Sequence, residues 1–429
     1  MSRAIVVGSG AGGAMAAREL QGGFDVTLLE AGRGFRPFLT KLSSIERLKP
    51  TGLLFDEREI QVMFPAMRVR KTEDRMVLIN GRGLGGTTTI ATGNGVRCDD
   101  ALRSIGINLD KEFEELDREI PISAGHQARW RESTKRLYDL CRTMGLRPRP
   151  SPKMGDSARC KNCGHCVLGC PFGAKWDARK LVEEASGRGA RVVEGAKVRR
   201  VRIKDGKALG VEVRIRGVVR FIPADLIVLA AGGLGTPLIL EESGIACEQK
   251  LFVDPVLCVA TTWKGALQNR EISMPFIVQQ HGYILAPYFD YLSFFFNKDW
   301  KFAADDTLSM MIKIADTNTG SISKGGIRKT LSDQDRGRLI EGVSVCYELF
   351  DRIGANSQNH FLGTVNAGHP GGMLPLTKED ASTLHSNALP CNMYVADSSL
   401  FPSSPGNPPI FTIMALAKRI SKLCLQQAA

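Results

Sequence analysis

Short apolar runs of strand length alternate with segments of helical period along most of this chain. Ile5 to Val7 and Val26 to Leu29 are compact apolar runs, and Ala14 to Leu20 between them reads as a helix. Leu109, Phe113, Leu116 and Ile120 keep helical spacing up to Pro121, and Trp130, Leu137, Leu140, Cys141 and Met144 extend it in a second helix stopped by Gly145. Arg191 to Val193, Val198 to Ile203 and Ala208 to Ile215 read as strands, with a turn at Lys204–Lys207. Leu226 to Ala230 is a buried strand, and Pro237 sits near the first turn of the helix after it. Leu308 to Ile314 is another strand. Ser332 to Ile353 has the cap, period and Gly354 stop of a helix. Arg147 to Pro152 reads as an extended linker, and Pro37, Pro50 and Pro65 argue against a long helix in residues 35–80. The pattern predicts a mixed α/β chain (α/β with α+β parts).

The first two runs enclose Gly8-Ser9-Gly10-Ala11-Gly12-Gly13, and the second ends on Glu30. Strand, glycine turn, helix, strand and acid together form a dinucleotide-binding unit. Gly8 makes the tight turn, Gly10 lets backbone approach a pyrophosphate, and Gly13 lets helix and strand pack closely. The helix N-terminus offers free N–H groups to the phosphates, and Glu30 is placed for the ribose hydroxyls. An acid there disfavours the 2′-phosphate of NADP, so the unit suits FAD or NAD. A second glycine run, Gly81-Arg82-Gly83-Leu84-Gly85-Gly86-Thr87-Thr88-Thr89, suits backbone pressed against a ligand, and Asn94 and Arg97 follow it.

The 429 residues, 43% of them hydrophobic, are enough for two domains sharing a core. No apolar run reaches membrane-span length, and Ser2 and Arg3 lead straight into the first strand without a signal peptide, so a cytoplasmic protein is expected, with peripheral membrane contact left open. Lysine and arginine number 57 against 45 acids, and Arg147, Arg149, Lys153, Arg159 and Lys161 concentrate part of the excess. No nucleic-acid motif accompanies that charge; a negative cofactor or an acidic partner protein explains it better, with a plain basic solvated surface as the equal alternative. The aromatic cluster from Tyr288 to Trp300 reads as core, with a cavity or docking patch as the functional alternatives.

Eleven cysteines in such a chain point to metal or redox chemistry. Cys160, Cys163, Cys166 and Cys170 stand in C-x2-C-x2-C-x3-C-P, the spacing of bacterial ferredoxins, in which thiolates on a tight loop wrap a [4Fe–4S] cluster. Zinc and a metal-free remnant are the alternatives. Cys170 closes the cluster, or a distant cysteine such as Cys98, Cys141 or Cys258 does. His165 within the loop reads as a solvated polar residue.

Taken in order, Gly8 to Gly13 with Glu30, Gly81 to Thr88, Leu226 to Pro237 with Ser243-Gly244-Ile245, His360 to Thr364, Asp397 to Pro402 and Asn407 to Ala417 resemble the glucose–methanol–choline family of FAD-dependent oxidoreductases. The resemblance implies a Rossmann-like FAD-binding domain built from separated segments, residues 1–110, 185–250 and 385–429, plus a sheet-based substrate domain at 251–384. Residues 111–184 would form a helical segment with the cysteine insert. It further implies His360, from an HxxGT run, and Asn407 as catalytic residues. His369, beside Gly368 and Pro370, competes with His360. Asp397 would approach the FAD diphosphate and Val198 the adenine. Arg82, Gly85, Gly86, Thr87, Asn94, Ala231, Pro408 and Thr412 complete the expected cofactor contacts. Long-chain alcohol oxidases have a similar cysteine-rich segment followed by Gly-Ala-Lys, here Gly173-Ala174-Lys175.

The resulting expectation is an FAD- and iron–sulfur-dependent dehydrogenase acting on a CH–OH group. His360 takes the hydroxyl proton, hydride passes to flavin, and the cluster relays electrons to a partner. The reverse flow, reducing a carbonyl or an activated C=C bond, and a non-catalytic electron-transfer subunit are the rival readings.

Overall fold

The computed structural model describes residues 1–37, Glu46 and 56–428. Strand β1 (Arg3–Val7), helix α1 (Ala11–Leu20) and strand β2 (Asp25–Glu30) follow one another as expected, with α1 starting three residues earlier than Ala14. The two strands are parallel, with Val7 opposite Leu29. They sit in a five-stranded parallel sheet in the order Met393–Val395, Leu226–Leu229, β1, β2, Arg191–Glu194. All five strands end along one edge, where open parallel sheets bind ligands. The order also shows that widely separated parts of the chain build this sheet. The predicted strands at 198–203 and 208–215 form, with Val218–Pro223, a separate antiparallel sheet.

A larger sheet carries the rest of the molecule. Its order is Met67–Lys71, Val77–Gly81, Asn366–Ala367, Val256–Thr262, Thr307–Ile314, Tyr283–Pro287, Phe276–Gln279, Arg149–Pro150, with Phe361–Leu362 pairing off the main path. Two pieces differ from the sequence pattern. The stretch 147–152 contributes an edge strand, pairing Phe276 with Pro150, because a proline can join a sheet where its missing N–H faces outward. Residues 67–81 form a hairpin, Val69 opposite Ile79, in a stretch whose mixed polarity hides the alternation. Part of the loop at Pro37 and Pro50 lies outside the described residues.

The helix Asp333–Ile353 backs this sheet. Ser332 Oγ accepts from Asp335 N at 3.2 Å while Ser332 N donates to the Asp335 carboxylate at 3.0 Å, and Gly354 closes the helix at φ 89°. It lies so close to strand Thr307–Ile314 that a Cβ on Gly342 would come 2.6 Å from Ile312. Phe289, Tyr291, Phe294, Phe295 and Trp300 are buried in one cluster, so the aromatic run is core.

The C-terminal helix Ile410–Ala428 packs on α1 and on Asp110–Glu119. Ion pairs tie the three together: Arg18–Glu119 at 2.5 Å, Lys418–Glu119 at 2.6 Å and Arg419–Glu112 at 2.6 Å. No helix among the described residues is long and apolar enough to cross a membrane.

Candidate functional site: a glycine cradle, a buried Lys–Asp pair and a four-cysteine cavity

The glycines after β1 divide their work by what surrounds them. Gly8 adopts φ 96°, and a Cβ there would come 2.3 Å from Ala230 O. A Cβ on Gly12 would strike Ala396 O at 1.6 Å, and one on Gly13 would strike Gly8 O at 1.8 Å. Gly10 is different: a Cβ there meets nothing within 4 Å. Its open face lies at the N-cap of α1, the position from which backbone N–H groups reach a phosphate. The residues present therefore fit the diphosphate of a dinucleotide.

Glu30 has a local task as well. Its carboxylate accepts Ser9 N at 3.0 Å, Ser9 Oγ at 2.7 Å, Gly32 N at 2.7 Å and Gly83 N at 3.2 Å. It thereby locks the first glycine loop to the second. Gly85 N donates to Ser9 Oγ at 3.2 Å, and a Cβ on Gly86 would come 2.9 Å from Gly10 Cα. Thr87 Oγ1 accepts Gly81 N at 3.0 Å, and Arg82 reaches Ala31 O at 3.3 Å. Val198 is buried in its strand. Ala231 caps the helix Gly232–Glu242 and donates to Thr236 Oγ1 at 3.0 Å. Asp397 accepts Gly232 N at 2.8 Å, Thr236 Oγ1 at 2.5 Å and Ser399 N at 2.9 Å, and burial raises its pKa despite these donors. Pro408 O faces Cys98 Sγ, and Thr412 Oγ1 accepts Cys98 N at 3.0 Å. Burial pushes the Cys98 thiol up to about 12.

The two candidate histidines stand apart. His360 precedes Phe361, which pairs with Ala260. It stacks on Tyr347 at 5.0 Å between centroids, and its Nε2 lies 3.7 Å from Asp351. His369 lies beyond the other end of that strand, its N–H 3.4 Å from Val253 O. Val256 and Ala260 are separated by roughly 13 Å at the usual rise of about 3.4 Å per residue, so the two imidazoles serve different places.

His369 belongs to a polar cluster that the sequence reading missed. Its Nδ1 lies 3.3 Å from Asp254 Oδ2, with no other polar partner. The same carboxylate oxygen pairs with Lys313, and the pair is 2% and 0% exposed. Oδ1 of Asp254 accepts Ser404 Oγ and, at 3.2 Å, Gly406 N. Lys313 Nζ also donates to Asn407 O at 3.3 Å. Asp254 is held at φ 53°, a left-handed conformation uncommon outside glycine. Burial alone would raise its pKa; Lys313 and His369 outweigh that and lower it. Burial and the Lys313 charge both hold His369 below the ordinary imidazole value. Asn407 Nδ2 donates to Gln279 Oε1 at 3.1 Å, on the wall of a cavity of about 690 Å³ that Gly406, Cys98 and Arg149 also line. That volume is within the usual range for a small-molecule site.

Cys160, Cys163, Cys166 and Cys170 line a second cavity together. Among the described residues, no three His, Cys, Asp or Glu side chains converge closely enough to hold a single metal ion. Four thiols lining one cavity are the donor set that a [4Fe–4S] cluster takes. Burial pushes the Cys163 thiol up to about 11, so an attached metal is what would keep it a thiolate. Lys153 and Lys175 line the same cavity. Lys153, counted above with the surface charges, is buried, whereas Arg147, Arg149, Arg159 and Lys161 are exposed. Lys153 Nζ donates to Asn94 Oδ1, to Ser273 O and, at 3.3 Å, to Thr92 O. Asn94 is thus 1% exposed and turned toward Lys153 and Met274.

The GMC oxidoreductase family model matches residues 2–258. An uncharacterized GMC-type oxidoreductase of Mycobacterium tuberculosis is 30% identical over 298 residues, 63% of this chain and 45% of that protein. A long-chain-alcohol oxidase of Arabidopsis thaliana is 26% identical over 264 residues, 56% of this chain and 34% of that protein. The matched part of this chain thus spans less than half the length of either of these two relatives. The crystal structure of pyridoxine 4-oxidase from Mesorbium loti shares the fold, with a TM-score of 0.70 and 16% identity over 98% of this chain and 99% of that one. With a matched family model across more than half its length and the mixed α/β architecture in place, the chain belongs to the GMC oxidoreductase family.

Proposed function

We propose that this oxidoreductase acts on the CH–OH group of an alcohol, with His369 as the proton acceptor and Asn407 as the hydrogen-bond donor to the substrate oxygen. The observation that carries the reading is the Lys313–Asp254 pair, which reaches His369 on one side and, on the other, the backbone oxygen of Asn407, a residue that lines the cavity. FAD, when bound, supplies the hydride acceptor. Asp254 next to Nδ1 favours the tautomer with its proton there, leaving Nε2 to accept the hydroxyl proton. An imidazole held below its ordinary pKa is neutral near pH 7 and ready to take that proton. Asn407 stabilises the developing alkoxide through its amide N–H. The similarity to a long-chain-alcohol oxidase supports an alcohol as substrate.

The four cysteines are read as ligands of a [4Fe–4S] cluster that passes electrons singly to a redox partner protein. Their spacing and their shared cavity support this reading. The turn Gly86–Ile90, in the second glycine run, packs directly on His165–Leu168 of the cysteine loop, which supports a transfer of electrons between the two sites.

The test is anaerobic. Purified protein is mixed with a panel of primary and secondary alcohols while flavin absorbance and iron content are followed. Bleaching by an alcohol without O₂ is expected. A flavin that no alcohol bleaches, but that a chemical donor reduces through the cluster, would favour the electron-transfer subunit instead.

A further inference from the structure

The cysteine cavity is lined by three lysines, the exposed Lys161 and the less accessible Lys153 and Lys175, against a single acid, the exposed Asp156, whose carboxylate accepts Ala158 N. Lys153 is 8% exposed, and its ammonium donates only to Thr92 O, Ser273 O and the Asn94 amide oxygen. Lys175 donates to four carbonyls: Thr88 O at 3.1 Å, Thr89 O and Ala91 O at 2.7 Å, and Cys166 O at 2.9 Å. Among the described residues neither lysine has a carboxylate within ion-pair distance, unlike the buried Lys313 with Asp254, Lys329 with Asp316 and Lys418 with Glu19, Glu115 and Glu119. The acids whose charge reaches them are committed elsewhere. Asp177 holds Arg179 at 2.8 Å, and Glu271 accepts Arg131 N at 2.7 Å and Thr134 Oγ1 at 3.0 Å. A cation taken out of water without a counter-charge is costly. A fold that buries Lys153 and half-buries Lys175 beside four cysteines expects negative charge in that cavity.

We propose that Lys153 and Lys175 are the internal counter-charges of an anionic iron–sulfur centre on Cys160, Cys163, Cys166 and Cys170, and that they raise its reduction potential. The inference rests on the cluster reading given above. One observation supports it beyond position: Lys175 binds both loops at once, since Thr88 and Thr89 belong to the second glycine run, Ala91 follows it, and Cys166 belongs to the cluster loop. Each electron that the centre takes from reduced flavin adds one negative charge with no bond made or broken, and the redox partner removes it again. Fixed positive charge nearby makes that addition easier, since net charge sets the potential of such clusters. One side chain would then both fix the gap between the two redox groups and draw electrons from the flavin side to the cluster.

The experiment compares Lys153→Met, Lys175→Met and their arginine counterparts with the unaltered chain, all purified anaerobically. Iron is counted, and the midpoint potential of the cluster is titrated by electron paramagnetic resonance. The methionine variants should show a lower midpoint potential, and the arginine variants should keep it close to the unaltered value. A methionine variant that fails to take up iron while its arginine counterpart loads normally supports the charge role as well. An iron-loaded methionine variant with an unchanged potential overturns the lysine assignment alone, as does loss of iron with arginine and methionine alike. Unaltered protein holding no iron overturns the cluster itself and the counter-charges with it.

Discussion

His369 Nδ1 lies 3.3 Å from Asp254 Oδ2, and that carboxylate is shared with Lys313, which in turn reaches Asn407 O. One buried charge pair therefore sits beside the His369 ring and holds the backbone of Asn407, whose side-chain amide turns to Gln279. His360 has no share in it: it packs on Tyr347 and Phe350 at the far end of the strand Val256–Thr262.

The first prediction separates the two histidines. His369→Ala should slow anaerobic flavin reduction by about 10²–10⁴, the usual worth of a general base. His360→Ala should leave that rate within a few-fold of the unaltered protein. Stopped-flow reduction with a working alcohol decides; the opposite pattern would return the role to His360.

A second prediction concerns pH. Burial and the nearby Lys313 ammonium lower the His369 pKa, so the imidazole stays neutral from above neutrality down to below its ordinary titration point. Flavin reduction should therefore be flat around pH 7 and fall on acidification below about 6.5, the unperturbed histidine value. Asp254→Asn removes the carboxylate that favours the protonated ring and should carry the fall to still lower pH.

Lys313 and Asp254 are almost fully enclosed, so removing one leaves the other charge without its partner. Lys313→Met should destabilise the fold by about 3–5 kcal/mol, read from urea unfolding of the flavin-free protein. Pairing it with Asp254→Asn should recover part of that loss. Strict additivity of the two substitutions would show that they do not act as a pair.

The glycine cradle gives a contrast within four residues. Gly10→Ala places its methyl in open space, so the fold should melt as before while flavin content drops. Gly13→Ala drives its methyl into Gly8 O and should cost roughly 1–3 kcal/mol or more in stability before any cofactor is considered. Thermal unfolding and the flavin-to-protein absorbance ratio, measured on both variants, separate the effects. Equal loss of flavin and stability in both would remove the distinction.

The strand, glycine turn and helix at the N-terminal end were legible because each is a local pattern: three short segments with capping, period and spacing in register. The helix Ser332–Ile353 was legible for the same reason. The choice between histidines was not. His360 and His369 each precede a glycine by three residues, Gly363 and Gly372, and only the fold shows which of them lies beside the Asp254–Lys313 pair. Asp254 and Lys313 did leave a trace, each a charge set among apolar neighbours, Phe252-Val253 and Met311-Ile312. A lysine in a buried strand requires a partner, but its identity depends on which strands pair. Lys153 misled in the other direction, since a basic run reads as surface until the fold turns one member inward.

The interleaved order of the parallel sheet has a consequence for biogenesis. Its outer strand Met393–Val395 and the helix Ile410–Ala428, which covers α1, are made long after β1 and β2. On the ribosome the glycine turn emerges early but must wait for most of the chain before its sheet and helical cover can close. Until then the apolar faces of α1 and β1 stand open to chaperones and to neighbouring nascent chains. A ribosome stalled before Met393 would present a chain with its nucleotide cradle already made and no means of shielding it.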